Sequence, residues 1–446
     1  MNLTLLTDLY QLTMAFGYWR HGLARREACF HLYFRTAPFG GTAAVAAGLA
    51  PAIELLEGFG FQDDDLAYLA TLTGNDSRAL FPAEFLTWLG EMRLDCDVAA
   101  VEEGEVVSAN TPLLRLTGPL ALLQLLETPL LNVVNFQTLI ATKAARVCEA
   151  TGGEPVLEFG LRRAQGVDGG LAAARASFLG GCAATSNVLA GKRFGIPVKG
   201  THAHSWVMVF GDEVEAFEKY AEAMPNNAVL LVDTYDTLQG VRHAVEVGKQ
   251  LAARGHALAG IRLDSGDMAA LSIEARKILD GAGLTDVAIV ASSDLDEDRI
   301  RELKANGARI GVWGVGTRLV TAWDQPALGG VYKLAAIQDE AGVWQPRIKR
   351  SENPIKTTTP GIHQVCRSAE GDILWSETLG PPAQTGRNLL VPIFSRGQRV
   401  YSPPSLVQSR ERAMKQWAER AHLSEALTLE PRLAALKESL LAGESR

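Results

Sequence analysis

Residues 229–237 read Val-Leu-Leu-Val-Asp-Thr-Tyr-Asp-Thr, the amphipathic stretch Leu238–Arg254 is closed by Gly255, and Leu258–Leu263 then runs into Asp264-Ser265-Gly266-Asp267. An apolar run with a polar exit, a helical pattern and a second apolar run of the same kind make one βα unit. Val229 to Leu258 and Leu258 to Ala288 each span about 30 residues, enough for a strand and the crossover helix that parallel pairing demands. The alternation continues outward. Val156–Phe159, Ile196–Lys199, Ala288–Ala291, Arg309–Val312 and Val331–Leu334 are further candidate strands. Met268–Ala282 is a helix closed by Gly283, and Asp296–Ala305 opens with acids that suit a helix N-terminus and stops at Gly307. Seven such strands favour a (β/α) barrel, irregular in outline, over an open sheet.

The flanks differ in character. Met1–Ala150 is mixed α/β: Asp97–Leu116 carries turn chemistry at Glu103-Gly104-Glu105 and Asn110-Thr111-Pro112, and Ala121–Ala150 is helical. Ala335–Ser405, rich in Gly, Pro, Ser and Thr, is a small β-containing appendage, and Leu406–Arg446 is helical up to the polar tail Gly443–Arg446. The expected class is therefore α/β, with an N-terminal α/β domain over 1–150, the barrel core over 151–334, and a C-terminal region over 335–446 that packs back on the N-terminal domain.

The 446 residues are 47% hydrophobic and 21% charged, with a net charge of -8 and no basic block. That excludes nucleic acid or an anionic membrane as the main partner and leaves small anionic ligands open. Cys29, Cys96, Cys148, Cys182 and Cys366 are scattered without a Cys-x-x-Cys pair, so neither a zinc site nor a disulfide framework is expected. The N-terminus lacks a basic-then-apolar signal pattern, and no apolar run reaches the ~18 residues of a membrane span. A cytoplasmic protein is expected.

In a βα barrel the residues just after each strand meet at one face, so the strand exits carry the chemistry. After Ile196-Pro197-Val198 comes Gly200-Thr201-His202-Ala203-His204-Ser205-Trp206. An imidazole there serves as nucleophile, acid/base or phosphate contact; the bland alternative is that both histidines only bond neighbouring backbone. Glu158–Gly166 brings Arg162 and Arg163, whose forked donors suit phosphate or carboxylate, against a plain ion pair with Glu158 or Asp168. Arg262 alternates with apolar neighbours and is expected to point into the barrel mouth. Asp264 and Asp267 suit Mg²⁺ or ribose hydroxyls, although Asp267 equally suits the cap of the next helix. Ser292-Ser293-Asp294 ends one run. Gly314-Val315-Gly316-Thr317 ends another with small residues whose N–H groups can approach an anion. Together these exits imply a phosphorylated sugar with a good leaving group.

At that point the chain resembles the nicotinate phosphoribosyltransferase family over almost its whole length. The matching motifs are Leu5–Met14, Glu158–Gly166, Gly200–Trp206, Asp233–Thr237, Arg262–Asp267, Ser293–Asp296, Gly314–Thr317, and Lys349–Glu352 followed by Thr359-Pro360-Gly361. Leu126–Asn132 is similar to the broader phosphoribosyltransferase group that includes quinolinate enzymes. The resemblance implies a type II phosphoribosyltransferase fold and a homodimer. It implies that nicotinate and phosphoribosyl pyrophosphate give nicotinate mononucleotide and pyrophosphate, with Mg²⁺ and with coupled hydrolysis of ATP as co-substrate, in NAD salvage. It makes His204 the histidine phosphorylated by ATP. Tyr10, Thr201 and Arg262 become nicotinate contacts, and Thr317 a sugar-phosphate contact beside Gly314 and Gly316. Ser205 joins the substrate-binding set, and Arg162, Asp264 and Asp294 serve ribose, pyrophosphate or metal. Relatives with a cysteine-rich zinc module differ from this chain, which has only Cys366 in that region.

Arg262 offers a permanent cation for the nicotinate carboxylate; the resemblance places the amide acceptor of a nicotinamide enzyme near Phe178–Gly191, a stretch that contains no Asp or Glu, which favours nicotinate over nicotinamide. The alternatives are a nicotinamide phosphoribosyltransferase and a non-catalytic barrel that binds phosphoribosyl ligands. His202 is expected to lie behind the reacting groups or to face solvent.

Overall fold

The computed structural model describes residues 2–421 and 427–443. The chain forms two compact units, one of Met1–Leu139 with Ala327–Arg446 and one of Ile140–Pro326. The sequence boundaries at 150 and 334 thus differ from the contact boundaries at 139 and 326, and the two flanks share one unit.

The second unit is built on six parallel strands: β1 (Val156–Glu158), β2 (Ala184–Thr185), β3 (Val229–Leu231), β4 (Gly260–Leu263), β5 (Ala288–Ala291) and β6 (Val312–Val315). Their order is β2-β1-β6-β5-β4-β3. The last strand in sequence, β6, therefore pairs back onto the first, with Trp313 opposite Val156. That pairing bends the sheet into most of a barrel. The expected strand Ile196–Lys199 shrinks to one parallel bridge, Val198 with Thr185, flanked by hydrogen bonds from Thr185 N–H to Pro197 O and from Lys199 N–H to Thr185 O, both 3.0 Å. The first run after β1 that pairs is the short Ala184–Thr185, too brief to show a period.

Apolar alternation inside the strands makes the core. Leu230, Ile261, Ile289 and Trp313 are buried, and each aliphatic side chain removed from water contributes about 1.5–3 kcal/mol. The helix α1 (Thr237–Ala253) starts where Asp236 Oδ1 accepts the Gln239 N–H at 2.8 Å, and it buries Val241, Ala244, Val245, Gly248 and Leu251 along one stripe. Gly240 lets this helix lie directly on its own strand: a Cβ there would sit 2.1 Å from Val232 O.

Two expectations fail for physical reasons. Val331–Leu334 is no barrel strand. It belongs to Gly330–Gln338, antiparallel to Glu27–Phe34 in the seven-stranded sheet of the first unit, with Tyr332 opposite Leu32. With β6 already on β1, the ring has no slot between them. In the first unit, Glu27–Phe34 is buried on both faces and takes partners on both edges, Gly330–Gln338 and Leu114–Pro119. The expected helix over 406–446 is also broken. Leu406–Arg420, with a Ser405–Gln408 capping box, is followed by the strand Thr428–Leu429 on Gly371–Ser376 and a second helix Pro431–Ala442, started by Pro431 and capped by Glu430. Of the expected polar tail, residues 444–446 lie outside the described residues.

In the same unit, His31 and His363 stack at 4.1 Å between ring centroids, both fully buried, and His31 Nε2 accepts the His363 N–H at 3.1 Å. Among the described residues no helix is long and apolar enough to cross a membrane.

Candidate active site

The exits of the parallel strands converge around Arg262. It is the third residue of β4, so its side chain points opposite to those of Ile261 and Leu263, which are in the core. Its Nε–H donates to Ser292 Oγ at 2.7 Å, Nη1 to Thr201 Oγ1 at 2.9 Å and Nη2 to Asp264 Oδ1 at 2.9 Å. The guanidinium also lies 5.9 Å from the centroid of the Phe159 ring. One planar cation thereby ties the exit of β5, the 200–204 loop and the exit of β4, and two of its five N–H donors remain for a ligand.

Asp264 is held as a carboxylate. Partial burial works against its charge, but the Ser292 hydroxyl and the Arg262 fork outweigh that and keep its pKa below the usual value. Its backbone N–H donates to Asp233 Oδ2 at 2.8 Å, and Ser265 Oγ–H donates to the same oxygen at 2.7 Å. The His204 ring stands beside this pair: Nε2 is 3.8 Å from Asp264 Oδ2, and Nδ1 is 3.1 Å from Thr234 Oγ1 at the exit of β3.

A cavity of about 470 Å³ opens next to the network. It is lined by Arg162, Arg163 and Arg262 as cations, Asp264 and Asp294 as anions, Thr201, and the Gly314–Thr317 turn. The turn stays narrow by sequence: a Cβ on Gly314 would lie 2.8 Å from the Phe159 ring, and one on Gly160 would lie 2.3 Å from Val320. Ser293, also in the lining, holds φ +89°, a left-handed conformation uncommon for a residue with a Cβ and concentrated at functional sites. Glu158 fixes the arginine-bearing loop from below, accepting the Gly160 N–H and the Thr185 hydroxyl, both at 2.5 Å; desolvation by burial pushes its pKa up.

The structure therefore brings Arg162, Thr201, Arg262, Asp264, Asp294, Gly314, Gly316 and Thr317 to one cavity. His204 and Ser205 open the helix His204–Val209, and His204 reaches the network through Asp264 and Thr234. Tyr10 lies on the helix Leu9–Arg20 of the first unit, about half exposed. Asp267 takes the capping role, its Oδ1 accepting the Ala270 N–H at 3.1 Å. Of the two places expected for His202, solvent is excluded: the residue is 7% exposed. Sequence reading assigned no contact to Phe159, Ser292 or Thr234, although each lies within an exit already singled out.

Residues 5–135 match the nicotinate phosphoribosyltransferase (NAPRTase) N-terminal domain, and residues 155–370 match the nicotinate phosphoribosyltransferase (NAPRTase) family proper. The chain belongs to that family. A nicotinate phosphoribosyltransferase of Bacillus subtilis (strain 168) is 51% identical over 381 residues, covering 84% of this chain and 76% of the relative. The human nicotinate phosphoribosyltransferase is 36% identical over 533 residues, covering 99% and 97%. The crystal structure of human nicotinic acid phosphoribosyltransferase superposes with a TM-score of 0.82 at 34% identity, over 97% of this chain and 99% of that one. A nicotinate-nucleotide pyrophosphorylase from Pyrococcus furiosus shares the fold, with a TM-score of 0.75 at 23% identity over 94% and 96%. The α/β architecture with a parallel-stranded core is thus that of the nicotinate phosphoribosyltransferases.

Proposed function

We propose that this family member joins nicotinate to phosphoribosyl pyrophosphate, releasing pyrophosphate, and couples the transfer to ATP hydrolysis through a phosphorylated His204. The observation that carries the reading is the Arg262 hub, a cation with two uncommitted donors beside a carboxylate and an imidazole. The pyridine nitrogen attacks the anomeric carbon as the C–O bond to pyrophosphate breaks, and positive charge builds on the sugar. Asp264, held ionised, and Asp294 stabilise that charge. The nicotinate carboxylate takes the Arg262 donors with Thr201 nearby, whereas nicotinamide would need an acceptor there. Arg162, Arg163 and the Gly314–Thr317 turn suit the phosphates. Ser205 completes the proposed substrate contacts within this unit.

The donors at Asp264 and Asp267 do not fit a preformed metal site. Asp264 Oδ1 is engaged by Arg262 and Ser292, Asp267 caps a helix, and no group of three or more His, Cys, Asp or Glu among the described residues could hold a metal ion. Mg²⁺ instead enters as the partner of the pyrophosphate-bearing substrate, which suits a cation that keeps its waters and prefers phosphate oxygens. A homodimer is supported by exposed apolar residues on the second unit, among them Val167, Val188, Met208 and Val209. Five free cysteines suit a reducing cytoplasm.

The test is an assay with nicotinate, phosphoribosyl pyrophosphate and Mg²⁺, with and without ATP, against nicotinamide as competitor. ATP stimulates product formation, and His204→Ala abolishes acid-labile phosphate from labelled ATP while retaining some uncoupled synthesis. Phosphate persisting in that variant refutes the role of His204, and equal turnover of nicotinamide refutes that of Arg262.

A further inference from the structure

The barrel has a seam. On one side of it the ring ends with the bridge at Val198, and on the other with β3, which among the described residues has no strand on its outer edge. Alternate N–H groups of a strand point to alternate sides. Val232 N–H donates inward to Arg262 O, so the Leu231 N–H faces the seam, where an unpaired buried amide would be costly. His202 Nε2 accepts it at 3.1 Å. The other ring nitrogen, Nδ1, lies 3.3 Å from Ala203 O, which assigns the proton to Nδ1 and the lone pair to Nε2. Tyr220 packs edge-on against the ring at 4.7 Å between centroids, with Phe217 at 6.1 Å, and burial lowers the pKa of the imidazole, keeping it neutral.

The same two segments meet again three residues farther on, past the end of β3. His204 Nδ1 pairs with Thr234 Oγ1 at 3.1 Å. Across the seam, imidazole contacts at 202/231 and 204/234 stand where backbone rungs would otherwise join two strands. The first contact is buried and aromatic-packed. The second belongs to the ring that stands beside Asp264.

We propose that His202 is a positioning residue: its imidazole closes the barrel seam at Leu231 and thereby sets the placement of His204 against Thr234 and Asp264. The proposal rests on the reading that His204 is the reacting imidazole. Two variants of the full chain separate its parts. His202→Gln places an amide oxygen near the position of Nε2 and keeps an acceptor for Leu231; His202→Leu fills similar space without one. Leu231 amide exchange, kcat, both KM values and acid-labile phosphate are measured on each.

His202→Leu is expected to speed Leu231 exchange and lower kcat, each roughly tenfold, with KM for nicotinate and phosphoribosyl pyrophosphate kept within about threefold. His202→Gln retains both exchange protection and kcat. Unchanged Leu231 exchange in His202→Leu, or unchanged kcat despite faster exchange, overturns the proposal, as does equal damage in the two variants. Should His202→Leu fail to fold, His202→Asn, whose amide falls short of Leu231, decides by the same readings. A wild-type enzyme that takes no phosphate from ATP refutes phosphorylation of His204 alone; exchange and the kcat–KM split still judge His202.

Discussion

Replacing Arg262 by lysine keeps the positive charge and removes the fork. The guanidinium makes three hydrogen bonds, to the exits of β5 and β4 at Ser292 and Asp264 and to the 200–204 loop at Thr201. An ammonium on a narrower head reaches one of them well, so two charge-assisted bonds are lost. At the low end of about 1.5 kcal/mol each, that is about 3 kcal/mol, or roughly a hundredfold in kcat/KM if the geometry is needed in the transition state. The loss in folding stability is smaller, about 1 kcal/mol, because Asp264 is 29% exposed and water takes over part of its solvation. With the fork gone, the Asp264 carboxyl, held below its usual pKa in the native enzyme, titrates at higher pH. The acid limb of activity moves upward accordingly. The assay is steady-state synthesis with nicotinate varied at saturating phosphoribosyl pyrophosphate and then the reverse, across pH. Use of nicotinate is expected to suffer much more. A loss below about threefold, or equal losses for both substrates, would leave Arg262 with only a structural part.

Two further outcomes follow from buried groups. His363 is neutral in the native state, its pKa lowered to about 4 chiefly by burial, against about 6.5 when unfolded. The unfolded chain therefore binds the proton first, and stability is complete above pH 6.5 and declines as pH falls towards 4, by about 2 kcal/mol at pH 5. His363→Gln should remove that part of the difference between denaturant midpoints at pH 7 and 5, and an unchanged difference sinks the assignment. Gly240→Ala should destabilise by about 1–3 kcal/mol, because the new methyl meets Val232 O at 2.1 Å; a neutral thermal shift would mean the helix can move off its strand freely.

Much of the site was legible because parallel strands put their exits on one face, so short polar runs separated by about 30 residues could be read as neighbours. Arg262 was legible for the simpler reason that a charge alternating with core residues must point away from the core. Val331–Leu334 misled because an apolar run looks the same in a parallel core strand and in a buried antiparallel one; only the return of β6 to β1 excludes it from the ring. For His202 the sequence left open a place behind the reacting groups, and the structure puts it there; only its partner, the Leu231 amide, was illegible, because a strand edge left without a neighbour has no signature in composition. Asp267 shows the opposite case, where the local capping rule, one of the two readings its position offered, describes the bond it makes.

The first unit is assembled from both ends of the polypeptide, with Glu27–Phe34 hydrogen-bonded to Gly330–Gln338, whereas Ile140–Pro326 is one uninterrupted stretch. On the ribosome the later-starting unit can be finished first, while the opening strand waits for a partner made some three hundred residues later. A message cut short near residue 326 would release a product whose apolar Cys29–Leu32 edge has no cover, a template for pairing with other chains. Synthesis order, as much as sequence, sets the hazard that this topology carries.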